Sequence, residues 1–334
     1  MIVTARSFAK INLGLRIGAP RADGFHELLT IYQTIGLHDL IQVSVVRGNG
    51  IEIRCDDPRV PKDESNTCWR IVEKVMESLH ANGRVIVEIE KCLPVQGGMG
   101  GASANAVTAL LALERVLRKS LSASERLRIA AEVGSDVPLF LIGGMVLGME
   151  RGEQVYPLED FPATPCVMVT PDVGVSTPKA FAEWDRKQGL KPRSSKDRAG
   201  NEELTMPKSF DRMSELGREM SAWLSESYSG APGSGRAERG RAENPLLALV
   251  RAGIKNDFEE VVFPEYPELS EGKKALERAG AKYASLSGSG STLYGLFASK
   301  EAADLAVSRL RKQGWTAQST ATLTRQRYWK RIWV

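Results

Sequence analysis

Pro94-Val95-Gln96-Gly97-Gly98-Met99-Gly100-Gly101-Ala102-Ser103-Ala104-Asn105 is the stretch on which the fold turns. Before it, Val85, Val87 and Ile89 alternate with Ile86, Glu88 and Glu90, a short β-branched run that predicts a strand. After it, Ala106 to Val116 is built from good helix formers, apolar at Ala106, Leu110, Leu111 and Leu113, and predicts a helix. A glycine-rich turn between strand and helix is an anion-binding arrangement. Glycines let the backbone approach a ligand and turn successive N–H groups inward, while the helix N-terminus favours negative charge. A polyphosphate is the guest this suits.

Two common phosphate loops are excluded. No Gly-x-x-x-x-Gly-Lys-Ser/Thr occurs in the chain, so this is not a P-loop. The dinucleotide fingerprint, started at Gly98, matches at Gly100 but meets Ser103 where its third glycine belongs. A tight turn needs one or two glycines, whereas positions 97–101 hold four, which favours a ligand-binding role.

With 334 residues, the chain is long enough for two ordinary domains. Its 42% hydrophobic and 26% charged residues are those of a soluble globular protein. Lys and Arg total 45 against 41 Asp and Glu, a net charge of +4 that argues against bulk nucleic-acid binding. Cys55, Cys68, Cys92 and Cys166 have neither Cys-x-x-Cys spacing nor histidine neighbours, so no zinc site or disulfide framework is expected. No stretch has the length of a signal peptide or a membrane span, and a cytoplasmic protein is expected.

Toward the N-terminus, Ser7 to Ile17 reads as a strand in which Lys10 and Asn12, two apart, share a face. A strand lysine is most often solvated; the alternative is that Lys10 and Asn12 enter a site. Asp23-Gly24 marks a turn before Phe25 and His26. Leu40–Val46 and Gly50–Arg54 read as strands, and Asn66 caps a helix running to about Leu79. Beyond the glycine loop, Ser122-x-x-Glu125 is a capping box for a helix stopped at Gly134. Asp136 follows, wedged before Val137-Pro138-Leu139-Phe140, where partial burial calls for a cationic partner, and Lys10 is the candidate. From about 185 to 244 the chain is rich in small and polar residues and reads as a flexible insertion, with one short helix at Phe210 to Leu224. Folded sequence resumes at Asn256-Asp257-Phe258-Glu259 and includes a Ser/Gly loop, Ser285 to Thr292. The basic, aromatic end from Thr324 reads as a terminal strand with a solvated face.

Residues 94–105 resemble the central phosphate motif of the GHMP kinases, whose general form is Pro-x-x-x-Gly-Leu-Gly-Ser-Ser-Ala. Ala9-Lys10-Ile11-Asn12-Leu13 and Arg21-Ala22-Asp23-Gly24-Phe25-His26 are similar to the N-terminal signature of the branch whose acceptor is 4-diphosphocytidyl-2-C-methyl-D-erythritol. Gly134-Ser135-Asp136-Val137-Pro138, Val175-Ser176-Thr177 with Ala180-Phe181, and Ser287 to Ser291 continue the likeness in order. It implies an α+β, two-domain GHMP kinase fold: a ribosomal protein S5 domain 2-like nucleotide domain over 1–161 and a GHMP C-terminal domain over 162–334. It implies a kinase using ATP and Mg²⁺, with Asp136 as catalytic base and Lys10 offsetting charge on the attacking and transferred oxygens.

The same likeness carries nucleotide contacts to Asn66, Lys91, Pro94, Gly97, Gly98, Met99, Gly100, Gly101, Ala102, Ser103, Ala104 and Asn105. Acceptor contacts fall on Asn12, Phe25, His26, Thr177 and Phe181, with Phe25 and Phe181 suited to sandwich a cytosine ring. Ser103 is the expected Mg²⁺ or phosphate ligand, and Ala104 replaces the motif's usual second serine. The implied partner is one small molecule, a cytidine diphosphate-linked methylerythritol, with no nucleic acid and no membrane, on a monomer or weak homodimer. Two alternatives remain at this point: a GHMP kinase for another small alcohol, and a non-catalytic nucleotide binder of the same fold.

Overall fold

The structure is a computed structural model that describes residues 1–189, 246–247, 250 and 254–334. The helix expected over 210–224 and most of the expected insertion lie outside these residues. Six strands form the first sheet: β1 (Ile2–Pro20), β2 (His26–Val46), β3 (Gly50–Arg54), β4 (Arg84–Glu90), β5 (Met145–Met149) and β6 (Gln154–Pro157). Its order is β3-β4-β2-β5-β6, with β1 paired along β2. β2 is long enough to change neighbours: residues 40–46 pair with β4, residues 30–33 with β5. Only β3 and β4 run parallel among these pairs.

Helices α1 (Thr67–Ser78) and α2 (Gly101–Leu117) pack together, and α2 also lies against β1 and β2. Being covered on several sides, α2 is buried continuously from Ala104 to Glu114. α1 begins where its cap predicts, with the Asn66 side chain accepting from the Cys68 N–H. α3 (Ala123–Val133) starts likewise at Ser122, which accepts from the Glu125 N–H at 3.2 Å. Its stop at Gly134 is extended, at φ 177°, rather than the left-handed conformation expected of a terminal glycine. A tight turn and the short α4 (Leu139–Ile142) follow, leaving Asp136 in the connection.

The second sheet is antiparallel, ordered β10-β7-β9-β8, from β7 (Pro165–Val169), β8 (Tyr283–Leu286), β9 (Leu293–Leu296) and β10 (Ala317–Ala321). α5 (Thr177–Gln188), α6 (Glu259–Glu265), α7 (Pro267–Arg278) and α8 (Lys300–Lys312) accompany it. Trp184, Phe258, Leu269, Leu276 and Phe297 centre the core between these helices and the sheet. Buried Arg16 of β1 meets Asp257 at 3.0 Å, and Asp257 also accepts from the Ile17 N–H, so β1 is tied to the turn that leads into α6.

The C-terminus departs from expectation. It is mostly a helix, α9 (Arg325–Arg331), started by Thr324 accepting from the Arg327 N–H, and only beyond it does Trp333 bridge antiparallel to Ala5 of β1. Tyr328 is buried and donates to the Phe140 carbonyl at 2.7 Å, and the Trp329 indole donates to the Ile142 carbonyl at 3.0 Å. The aromatic residues are thus anchors against α4 and the first sheet. Basic and aromatic composition alone does not separate such an anchoring helix from a solvated strand.

Candidate active site

The glycine loop enters from β4 and ends at Gly100, the left-handed residue (φ 67°) before α2, so the loop amides and the free N–H groups of α2 face one cleft. The cleft measures about 350 Å³ and runs from Arg59, Pro61 and Asn66 along Lys91 to Ser103 and Asn105. The Ser/Gly loop packs against the glycine loop at Gly97 and Gly98. Thr292 N–H donates to the Gly97 carbonyl at 3.2 Å, and Ser287 Oγ to the Gly98 carbonyl at 3.0 Å. Side chains are sterically excluded where the loops meet. A Cβ on Gly98, at φ +76°, would sit 2.1 Å from the Ser287 oxygen, and one on Gly290 would sit 2.4 Å from the Gly98 nitrogen. The Ser/Gly loop is held in turn by buried Asn256, whose Nδ2 donates to the Leu286 and Gly288 carbonyls at 2.9 and 2.7 Å.

Lys10 and Asp136 meet beside the glycine loop, which Lys10 touches at Met99 and Gly100. Irregular pairing on either side of Lys10–Asn12, between Phe8 and Lys10 and between Asn12 and Gly14, re-aims that part of β1. The Lys10 N–H donates to the Met99 carbonyl at 3.0 Å, and its stem passes Gly100, where a Cβ would lie 3.1 Å from it. The ammonium, on a buried side chain, lies 3.2 Å from Asp136 Oδ2 and donates to Asn12 Oδ1 at 2.6 Å. Asn12 is fixed by donating to Thr30 Oγ1 at 2.8 Å. Gly288 of the opposite loop is close enough that its Cβ would be 3.5 Å from Lys10 Nζ. Asp136 keeps 32% of its side chain exposed and can therefore meet a ligand.

At the nucleotide end, Asn66 spends both side-chain polar groups internally, on the Cys68 N–H and, at 2.6 Å, the Pro61 carbonyl, so it lines the cleft as a cap. Lys91 and Asn105 converge on Asp39, a residue that motif reading missed. Asp39 is fully buried and accepts from Lys91 Nζ at 2.6 Å, Asn105 Nδ2 at 3.0 Å, and the Cys92 and Leu93 N–H groups at 2.8 Å each. The expected strand began at Leu40, one residue after Asp39, whereas β2 runs from His26 and places this aspartate, a residue rare in strands, inside it. Ser103 stands half-buried in the first turn of α2 on the cleft wall, beside Ala102 and the buried Ala104.

Of the acceptor candidates, Asn12 adjoins Lys10 directly. His26 stacks on Phe181, centroids 4.6 Å apart and 12° from parallel, and its Nε2 lies 2.7 Å from Asp185 Oδ1. Phe181 also meets Phe258 edge-on at 4.9 Å. Phe25 is half-exposed beneath the Arg151 guanidinium, 5.0 Å from its ring centre, so the facing pair is His26 with Phe181 and not the expected Phe25 with Phe181. Thr177 pairs its hydroxyl with Ser289 of the Ser/Gly loop at 2.7 Å. Asp185 and Tyr32 are further polar residues that no motif singled out, while Asn256, read as opening a folded segment, holds the Ser/Gly loop.

Comparisons with known proteins agree with this geometry. The family described as GHMP kinases N terminal domain matches residues 66–144, and that described as GHMP kinases C terminal matches 242–314. A 4-diphosphocytidyl-2-C-methyl-D-erythritol kinase of Solibacter usitatus (strain Ellin6076) is 35% identical over 329 residues, covering 98% of this chain and 91% of that protein. One of Acaryochloris marina (strain MBIC 11017) is 31% identical over 319 residues, 92% of this chain and 91% of that protein. A crystal structure of a 4-(cytidine 5'-diphospho)-2C-methyl-D-erythritol kinase superposes with a TM-score of 0.68 at 25% identity, covering 96% of this chain and 98% of that one. With relatives this similar over nearly its whole length and a lysine–aspartate pair beside a glycine loop, the chain belongs to the GHMP kinase family.

Proposed function

We propose that the protein transfers the γ-phosphoryl group of ATP to the 2-hydroxyl of 4-diphosphocytidyl-2-C-methyl-D-erythritol, a step in non-mevalonate isoprenoid precursor synthesis. The observation that carries this reading is the Lys10–Asp136 pair, 3.2 Å apart beside the glycine loop. The relatives' names support the choice of acceptor. The amides from Gly97 to Ser103 hold the phosphates at the start of α2, where dipole and free N–H groups offset their charge. The acceptor hydroxyl lies in line with the γ-phosphorus and gives its proton to an Asp136 oxygen. Its oxygen bonds to phosphorus as the bond to the β,γ-bridging oxygen breaks, and ADP leaves with that electron pair. Lys10, held by Asn12, offsets charge on the oxygens around the transferred phosphorus.

Ser103, on the cleft wall in the first turn of α2, is the side chain that would help hold Mg²⁺ carried by the nucleotide. Among the described residues no three-carboxylate, histidine or cysteine cluster offers a separate metal cage, which suits a metal brought in on the nucleotide. Mg²⁺ bound there would neutralise phosphate charge. His26, Phe181 and Thr177, with Phe25 at the rim, form the cytidylyl side of the pocket. We infer a cytoplasmic monomer or weak homodimer acting on this small molecule; among the described residues no helix is long and apolar enough to cross a membrane. The test is ATP-dependent turnover of the cytidylylated acceptor beside mevalonate and homoserine. Exclusive or strongly preferred use of the cytidylylated alcohol is expected, and equal use of either other alcohol overturns the assignment.

A further inference from the structure

We propose that Tyr32 is a positioning residue for phosphoryl transfer, its buried hydroxyl gripping one oxygen of Asp136 so that the other is presented to Lys10 and the acceptor. This rests on the reading of Asp136 as the base. Asp136 sits in a connection rather than in a helix or strand, so its own backbone does little to set the carboxylate's direction. Two contacts do. Tyr32 donates to Oδ1 at 2.9 Å, while Oδ2 faces Lys10 Nζ at 3.2 Å. With one oxygen clamped by a neutral donor, the carboxylate plane cannot turn, and Oδ2 is left to take the proton.

The tyrosine itself is rigidly housed. It is 2% exposed on the central strand β2, opposite Asn12 of β1 and Val146 of β5. The β5–β6 hairpin closes over it with glycines at both points of contact. A Cβ on Gly148 would lie 2.4 Å from the ring, and one on Gly152, at φ +103°, would lie 2.4 Å from the hydroxyl oxygen. Larger residues at either position would push the hydroxyl off the carboxylate. Burial, and then the adjacent Asp136 charge, push the phenol well above its ordinary value, so it keeps its proton and acts as the donor. A core tyrosine whose hydroxyl merely found a partner would explain the bond but would predict no catalytic effect.

Tyr32→Phe keeps the ring and removes only the hydroxyl. The expected result is a fall in kcat of roughly 10- to 100-fold, the scale set by small misplacements of reacting groups. KM for ATP and for the cytidylylated acceptor should stay within about twofold of the parent, since neither binding site is touched. In an Asp136→Asn background the same substitution should change the residual rate by less than about twofold, because the two residues act as one unit. Parental kcat in Tyr32→Phe overturns the proposal, as does full additivity with Asp136→Asn or a rise in both KM values with a lowered melting temperature. Parental turnover in Asp136→Asn alone instead removes the base assignment, a separate outcome.

Discussion

Replacing Asp39 by asparagine should damage both the stability of the protein and its grip on nucleotide, by amounts that the structure sets. The carboxylate is fully buried and receives two backbone N–H groups on one oxygen and the Lys91 ammonium and Asn105 amide on the other. Asparagine can still accept the two N–H groups through its oxygen, but its NH₂ then faces Lys91 and the Asn105 amide, donor against donor. The Lys91 side chain is only 10% exposed, so it cannot recover full hydration. Removing one partner of a buried ion pair costs about 3–5 kcal/mol. At about 2–4 °C per kcal/mol for large domains, melting should fall by roughly 6–20 °C. Urea unfolding reads the loss, and calorimetric ATP titration reads the cleft, whose Lys91 and Asn105 walls are no longer tethered. Adding Lys91→Met removes the orphaned ammonium and should restore most of the stability while leaving ATP affinity low. A loss below about 1 kcal/mol in Asp39→Asn, the scale of an exposed pair, would refute the reasoning.

Asp136→Ala should lower turnover by about 10²–10⁴-fold, the usual weight of a general base, with ATP binding still measurable; unchanged turnover would remove the residue from the mechanism. Phe181→Ala takes away a stacking face and should raise KM for the cytidylylated acceptor roughly tenfold, at ~1–3 kcal/mol per stacked base, far more than KM for ATP. Equal effects on the two substrates would dismantle the pocket assignment. Gly98→Ala pays about 1–2 kcal/mol for a left-handed backbone and must also part the two glycine loops, so both a urea midpoint and ATP affinity should drop. Thiol labelling of the folded protein should mark Cys92, the exposed cysteine, before the buried Cys55, Cys68 and Cys166. Burial pushes the Cys68 thiol up to about 12 and raises Cys92 above its usual value, so labelling should quicken as pH rises past about 8.5. Rapid labelling of all four at neutral pH would contradict the packing.

Where a structural feature depends on near neighbours in the chain, residue types alone announced it. The strand before the glycine loop, the helix after it, and the caps Asn66 and Ser122 all depend on residues a few positions apart, and the structure holds them as read. Lys10 and Asn12 were legible as a pair because alternation along a strand puts every second side chain on one face. Composition misled at the C-terminus, where Tyr328 and Trp329 anchor a helix and only Trp333 beyond it bridges to Ala5 of β1. Asp39 and Tyr32 escaped notice for a different reason. Neither belongs to a local pattern, and each has meaning only through a partner supplied by another element.

The amino-acid order by itself determined that a strand, a polyphosphate-sized glycine loop and a helix follow one another, and which ionisable residues were eligible to work beside them. Only the tertiary structure decided that Lys10 reaches Asp136, that Tyr32 grips Asp136 across 104 positions, and that the Ser/Gly loop closes against Gly98. The physical reason is range. Backbone propensity and capping act over a turn or two, whereas a charge pair or a close backbone contact is created when packed sheets bring distant residues within a few ångströms.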